Sequence, residues 1–162
     1  MIFVTLGSQK FQFNRLLQAI DRLIESGEIA EPVFAQTGWS DYKPVHYPFT
    51  PFLDREDMDA WVAKSDVVIT HGGTGAIIGA LKKGKKVIAV PRSAKFGEHV
   101  DDHQKQITGQ FSELGMILEC EDCGELGKRI AQAKEQTFRP YESHTQAFLD
   151  SIEEFLRESF GT

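Results

Sequence analysis

The chain has 162 residues, a formal charge of −6 and a pI near 5.4, and at that length a single domain spanning residues 1–162 can bury roughly two thirds of its unfolded surface. The acidic balance argues against nucleic acid as a partner. No apolar run approaches the about 20 residues of a membrane helix, and the opening MIFVTLGSQ lacks the basic region and cleavage site of a secretion signal, so a cytoplasmic location is expected.

Met1 to Leu6 reads as a first strand, apolar and β-branched, that ends in Gly7-Ser8-Gln9. In the following helix Leu16, Leu17, Ile20, Leu23 and Ile24 share one face, with Asn14 as cap and Gly27 as stop. Val33 to Thr37 and the shorter Val45 to Tyr47 are the next strands. Met58, Trp61 and Val62 mark a helix leading into the strand Val67 to Thr70. After a glycine-rich turn, Ile77, Ile78 and Leu81 make a short helix ended by Gly84. Lys86 to Val90 is a buried strand closed by Pro91, and a polar loop runs from Arg92 to Gln104. Ile107, Phe111 and Leu114 recur at helical spacing up to Gly115, before the strand Met116 to Glu119. Two further helices are expected, at Leu126 to Ala133 and at 142–158. This alternation predicts an α/β fold, a doubly wound parallel sheet of Rossmann type. Ligands of such sheets bind beyond the carboxyl ends of the strands. The loops to read are therefore Gly7-Ser8-Gln9, Gln36-Thr37-Gly38, His71 to Gly75, and Arg92 to Gln104.

The stretch HGGTG, His71 to Gly75, joins a strand to a helix N-terminus, where unpaired N–H groups and the helix dipole favour an anion. Thr74 adds a hydroxyl and His71 an imidazole. The alternative is a tight turn whose glycines only let helix pack on sheet. The dinucleotide fingerprint fails by one place, at Gly79, and the Walker A lysine is missing. An esterase would need G-x-S-x-G, which is absent. The reading is a phosphate cradle outside these three classes, with Gly7-Ser8-Gln9 as its second wall.

Other motifs read as structural. Cys120 and Cys123 form C-x-x-C without further ligands, among carboxylates that disfavour thiolate. Asp57-Met58-Asp59 spells D-x-D, but on a helix, where the pair cannot cap a strand and reach one cation. The run Lys82-Lys83-Gly84-Lys85-Lys86 suits a helix C-terminus, with contact to anionic lipid as the alternative.

Taken in order, Thr5-Leu6-Gly7-Ser8-Gln9, Phe52-Leu53-Asp54 with Met58, Asp66 to Gly73, Gly84, Pro91-Arg92 and Asp102-His103-Gln104 resemble the C-terminal, nucleotide-sugar-binding half of GT-B glycosyltransferases, such as the lipid II N-acetylglucosaminyltransferase. The chain is still more similar to stand-alone subunits of two-chain enzymes, the dolichol-linked N-acetylglucosaminyltransferase and bacterial exopolysaccharide and capsule transferases. The resemblance implies an inverting transferase subunit that binds a UDP-sugar. Gly7, Ser8 and Gln9 would meet the diphosphate, as would His71, Gly72, Gly73, Thr74 and Gly75. Phe52-Leu53 would hold the uracil, and His103 and Gln104 the sugar hydroxyls, with Arg92 in the same polar loop. His71, Glu98 and Asp102 are the candidate catalytic residues, and the sequence does not name the general base. Relatives carry a ribose-binding glutamate where this chain has Gly79. No cofactor and no metal is expected. The implied partners are a membrane-anchored subunit supplying the acceptor domain, which would recruit the chain to the inner face of the membrane, and a lipid-linked saccharide acceptor. Phe148, Ile152, Phe155 and Leu156 on the last helix are a candidate docking face, with packing against this domain's own sheet as the alternative. A non-catalytic enhancer subunit and an epimerase-like protein are the alternatives.

Overall fold

The structure, a computed structural model, describes residues 1–140. The helix expected at 142–158 lies outside the described residues. Strand β1 (Ile2–Thr5) is buried along its whole length, as a strand covered on both faces must be. It is followed by α1 (Asn14–Glu25), β2 (Val33–Gln36), β3 (Phe49–Thr50) and α2 (Arg55–Lys64). Then come β4 (Val67–His71), α3 (Thr74–Lys82), β5 (Lys86–Val90), α4 (His103–Glu113), β6 (Leu118–Glu119) and α5 (Leu126–Glu135). The strands form one parallel sheet in the order β3-β2-β1-β4-β5-β6. The doubly wound Rossmann-like sheet expected from the alternation is therefore present.

Each face of the sheet has its own core. Ile2, Val4, Ile69 and Ile88 point to one side, where Leu16, Leu17 and Ile20 of α1 and Ile130 of α5 cover them. Phe3, Val68 and Val87 point to the other, under Val62 of α2, Ile77 of α3 and Phe111 of α4. Trp61 stacks on Phe34 there, with ring centroids 3.9 Å apart and planes within 4°.

Three local expectations change. The strand at Val45 to Tyr47 does not form, and β3 begins two residues later. The reason is Asp21 on α1, buried to 5% exposure. Its carboxylate accepts from the amides of Val45 and His46, both at 2.9 Å, and from the Tyr42 hydroxyl. Those amides are spent on a side chain and cannot join a ladder. Asn14 is the first helical residue rather than the cap, and its side chain accepts from Tyr42 N at 3.0 Å. Strand β6 is confined to Leu118–Glu119, although Met116 and Ile117 are equally buried. Asp54 does cap α2, accepting from Asp57 N at 2.7 Å.

Candidate functional site

The strand order reverses between β1 and β4, because the chain winds outward to β3 and then crosses back. A doubly wound sheet opens a crevice at that switch point, beyond the carboxyl ends of the two strands. Here the crevice is a cleft of about 400 Å³, lined on one side by Gly7, Ser8 and Gln9 and on the other by His71, Gly73 and Gly75. Hollows of about 490 and 620 Å³ lie around Lys85 and Lys86 at the amino ends of the strands. Their helix termini present carbonyls rather than amides, so the smaller crevice is the better anion site.

Two buried glutamines shape the walls. Gln36, at the end of β2, accepts through Oε1 from Thr5 Oγ1, Leu6 N and Gly7 N, and donates through Nε2 to Gly7 O and Pro51 O. It holds the first loop in place and takes up the Gly7 amide, leaving Ser8 and Gln9 to face a ligand. Gln104, at the start of α4, accepts through Oε1 from Gly72 N at 3.2 Å and Arg92 N at 3.0 Å. Its Nε2 lies 3.3 Å from His71 Nδ1. Since Oε1 already accepts twice, Nε2 must donate, so Nδ1 accepts and the imidazole carries its proton on Nε2.

That Nε2–H is presented between the two loops. A Cβ on Gly7, whose φ is +72°, would come within 2.7 Å of Nε2, and a Cβ on Gly73 would overlap the ring. A Cβ on Gly72 would press on Gln104 at 2.6 Å. The three glycines are thus required by the imidazole and the carboxamide beside them. Gly73 is also the N-cap of α3 and has no side chain to cap it. The amides of the first turn, Thr74 to Ala76, are left for a ligand.

Burial first, and then the charges of Arg92 and His99, hold His71 down at about 3, against the usual 6.5. It is a neutral donor at physiological pH. Because the unfolded chain takes up this proton near 6.5 and the folded one does not until about 3, the His71 contribution is complete above pH 6.5. It is lost as the pH falls through that window, by up to roughly 1.4 kcal/mol per pH unit. Urea midpoints at pH 7.5 and 5 should therefore differ more for the wild type than for His71→Gln. Equal differences would place the titration elsewhere.

The polar loop after β5 turns inward. Arg92 is 1% exposed and donates to the carbonyls of Leu6 (2.6 Å), Phe11 (3.0 Å), Gln12 (3.3 Å) and Glu98 (3.2 Å). Burial lowers its guanidinium to about 10, with the Glu98 carboxylate acting the other way, so it stays cationic. Glu98 is fully buried and grips Arg15 through both oxygens, each bond 3.0 Å, and accepts from Ser93 N. Asp102 accepts from Ala94 N at 3.1 Å. His103 lies 3.3 Å from Asp101, whose other oxygen is 3.2 Å from His99.

The structure therefore brings Gly7, Ser8, Gln9, His71, Gly73 and Gly75 together around the cleft. Gly72 and Gln104 support it from behind, and Thr74 opens α3. Leu53 packs on the second core, and Arg92, Glu98, Asp102 and His103 lie outside the cleft lining. Glu98 and Gln104 spend their side-chain bonds on the protein itself and Arg92 makes four bonds to backbone carbonyls, its Nε having no partner among the described residues, so these three side chains of the loop turn inward. Sequence reasoning missed Gln36 as a support; a lone carboxamide ending an apolar strand is the signal for it. Asp57 and Asp59 stand on α2, and the described residues contain no cluster fit for a metal ion. Burial pushes the Cys120 thiol up to about 12 and raises that of Cys123, in keeping with a structural role for both.

Known proteins resemble this chain in sequence and in fold. The "UDP-N-acetylglucosamine transferase subunit ALG13" of Candida glabrata is 38% identical over 81 residues, 49% of this chain and 39% of the relative. The chain spans half the length, or less, of the curated relatives it matches. The solution structure of ALG13 superposes with a TM-score of 0.60 at 21% identity, over 99% of this chain and 96% of that one. The crystal structure of Acinetobacter baumannii MurG does so with a TM-score of 0.55 at 17% identity, over 93% of this chain and 49% of that one. At such identities the likeness is one of fold. The glycosyltransferase family 28 C-terminal domain is matched along residues 1–158, and the chain belongs to that family.

Proposed function

We propose that the chain is the UDP-sugar-binding subunit of a two-chain, inverting glycosyltransferase that acts on a lipid-linked saccharide in exopolysaccharide or capsule synthesis. The observation that carries this reading is the convergence of His71 Nε2–H and the α3 N-terminus on one crevice at the switch point. A diphosphate leaving group gains charge as the glycosidic bond breaks, and fixed amides, a neutral N–H donor and a helix dipole stabilise that charge without a metal. The relatives named as subunits of a UDP-N-acetylglucosamine transferase support both the nucleotide sugar and the need for a second chain.

The acceptor side is assigned to that partner. Glu98 is held by Arg15, Asp102 by Ala94 N, and His71 offers a donor rather than a base. The general base and the site for the lipid-linked acceptor then come from a membrane-anchored chain, which brings this one to the inner face of the membrane. That none of the three candidates His71, Glu98 and Asp102 stands as a free base in the cleft lining favours a second reading, an enhancer subunit that contributes no chemistry. Transfer to a lipid-linked acceptor, assayed with the chain alone and with membranes holding its partner, tests the proposal. Transfer only in the second case, undiminished by EDTA, is expected. Full-rate transfer by the chain alone, or loss in EDTA reversed by manganese, contradicts it. A partner equally active without this chain's UDP cleft favours the enhancer.

A further inference from the structure

The cleft contains a carboxylate that the diphosphate reading does not use. Asp59 lines it from α2, while Gly75, Ala76, Gly79 and Ala80 line it from α3. Both helices start at the carboxyl edge of the sheet and run back along it. Asp59 comes four residues after Arg55, the first of α2, and Gly79 five after Thr74, the first of α3. At about 1.5 Å per residue the two lie at matching depths, roughly 6 and 7.5 Å below the helix starts.

The two walls have opposite character. Built Cβ atoms on Gly75 and Gly79 would meet nothing within 4 Å, so α3 offers space and no side-chain polar group at those positions. Asp59 is exposed and makes no hydrogen bond or ion pair with any described residue. The floor between the walls is apolar, formed by Met58, Val62, Val68 and Ala80. An ionised carboxylate offers acceptors only, and it repels phosphate. What it suits, one step along the cleft from an anion cradle, is a pair of neighbouring hydroxyl donors.

Resting on the proposed nucleotide-sugar function, we propose that Asp59 accepts hydrogen bonds from the vicinal diol of the bound nucleotide's ribose, supplying from α2 the acceptor that Gly79 cannot supply from α3. The transferred hexose also carries adjacent hydroxyls, and the test separates the two. Calorimetric titrations with UDP, 2′-deoxy-UDP and a UDP-hexose are run on the wild type, Asp59→Asn and the double variant Asp59→Asn with Gly79→Glu. The wild type should bind UDP about tenfold more tightly than 2′-deoxy-UDP, the scale of one charge-assisted hydrogen bond. Asp59→Asn should bind both alike, at the weaker level and with an unchanged melting temperature. The double variant, whose glutamate enters open space, should recover the preference for ribose. An Asp59→Asn variant that discriminates as the wild type does overturns the inference and leaves the nucleotide reading standing. A loss confined to the UDP-hexose moves the diol to the sugar and also overturns it. A wild type that binds none of the three removes the nucleotide reading, and this inference with it.

Discussion

Replacing Arg92 by leucine is expected to destabilise the fold by roughly 3–5 kcal/mol, the range for removing one partner from a buried charged network. Among the described residues Arg92 is the largest side chain buried to under 2% exposure. Its guanidinium ties Leu6, Phe11 and Gln12, on the connection after β1, to Glu98 on the connection after β5. Leucine would fill much of the volume but leave these carbonyls without the donor, each at a desolvation cost of about 1–3 kcal/mol where water cannot reach. Lysine would keep the charge but not the fork that spans carbonyls on two sides, so Arg92→Lys should fall between the two. Urea denaturation measures this, and a loss below about 1 kcal/mol for the leucine variant would show that the loops hold without the staple.

The second large effect concerns Gly73. Its φ is −78°, an ordinary value, so a side chain there is not opposed by backbone strain. It is opposed by the His71 ring, which a Cβ would overlap. His71 cannot retreat, because Gln104 holds Nδ1 and Gly7 closes on Nε2. Gly73→Val should therefore displace the imidazole and weaken UDP binding by at least about 2 kcal/mol, the value of a donor to a charged group. Gly79→Ala is the contrast. A Cβ there meets nothing within 4 Å, and it lies within α3, so this variant should gain up to about 1 kcal/mol of stability. Were both substitutions to behave alike, the glycines of this segment would have no individual roles.

These two residues also show what the chain discloses on inspection. The strands declare themselves as apolar runs, and Gly27, Gly84 and Gly115, all at positive φ, mark helix ends as expected. The crossover order and the crevice follow from strand–helix alternation, so the position of the site is legible. Its wiring is not. HGGTG reads as a place where a ligand comes near, yet Gly72 and Gly73 admit Gln104 and His71. The charged loop from Arg92 to Gln104 reads as solvent-facing or ligand-facing, whereas Arg92 and Glu98 are buried. Their partners Leu6 and Arg15 are 86 and 83 residues away along the chain. No local pattern encodes pairings of that separation. The lost strand at Val45 has the same origin, since Asp21 claims its amide from 24 residues back.

The central claim is that the crevice between the β1 and β4 connections receives the diphosphate of a UDP-sugar. Backbone amide NMR of the isotopically labelled chain, titrated with UDP, tests it most directly. The account predicts that the largest shifts fall at Ser8, Gln9 and Gly73 through Ala76, with Gly7 moving less because Gln36 already holds its amide. Asp59 and Gly79 should follow as the ribose settles between α2 and α3. Saturable shifts centred instead on the hollows around Lys85 and Lys86, or no saturable shifts at millimolar UDP, would contradict it.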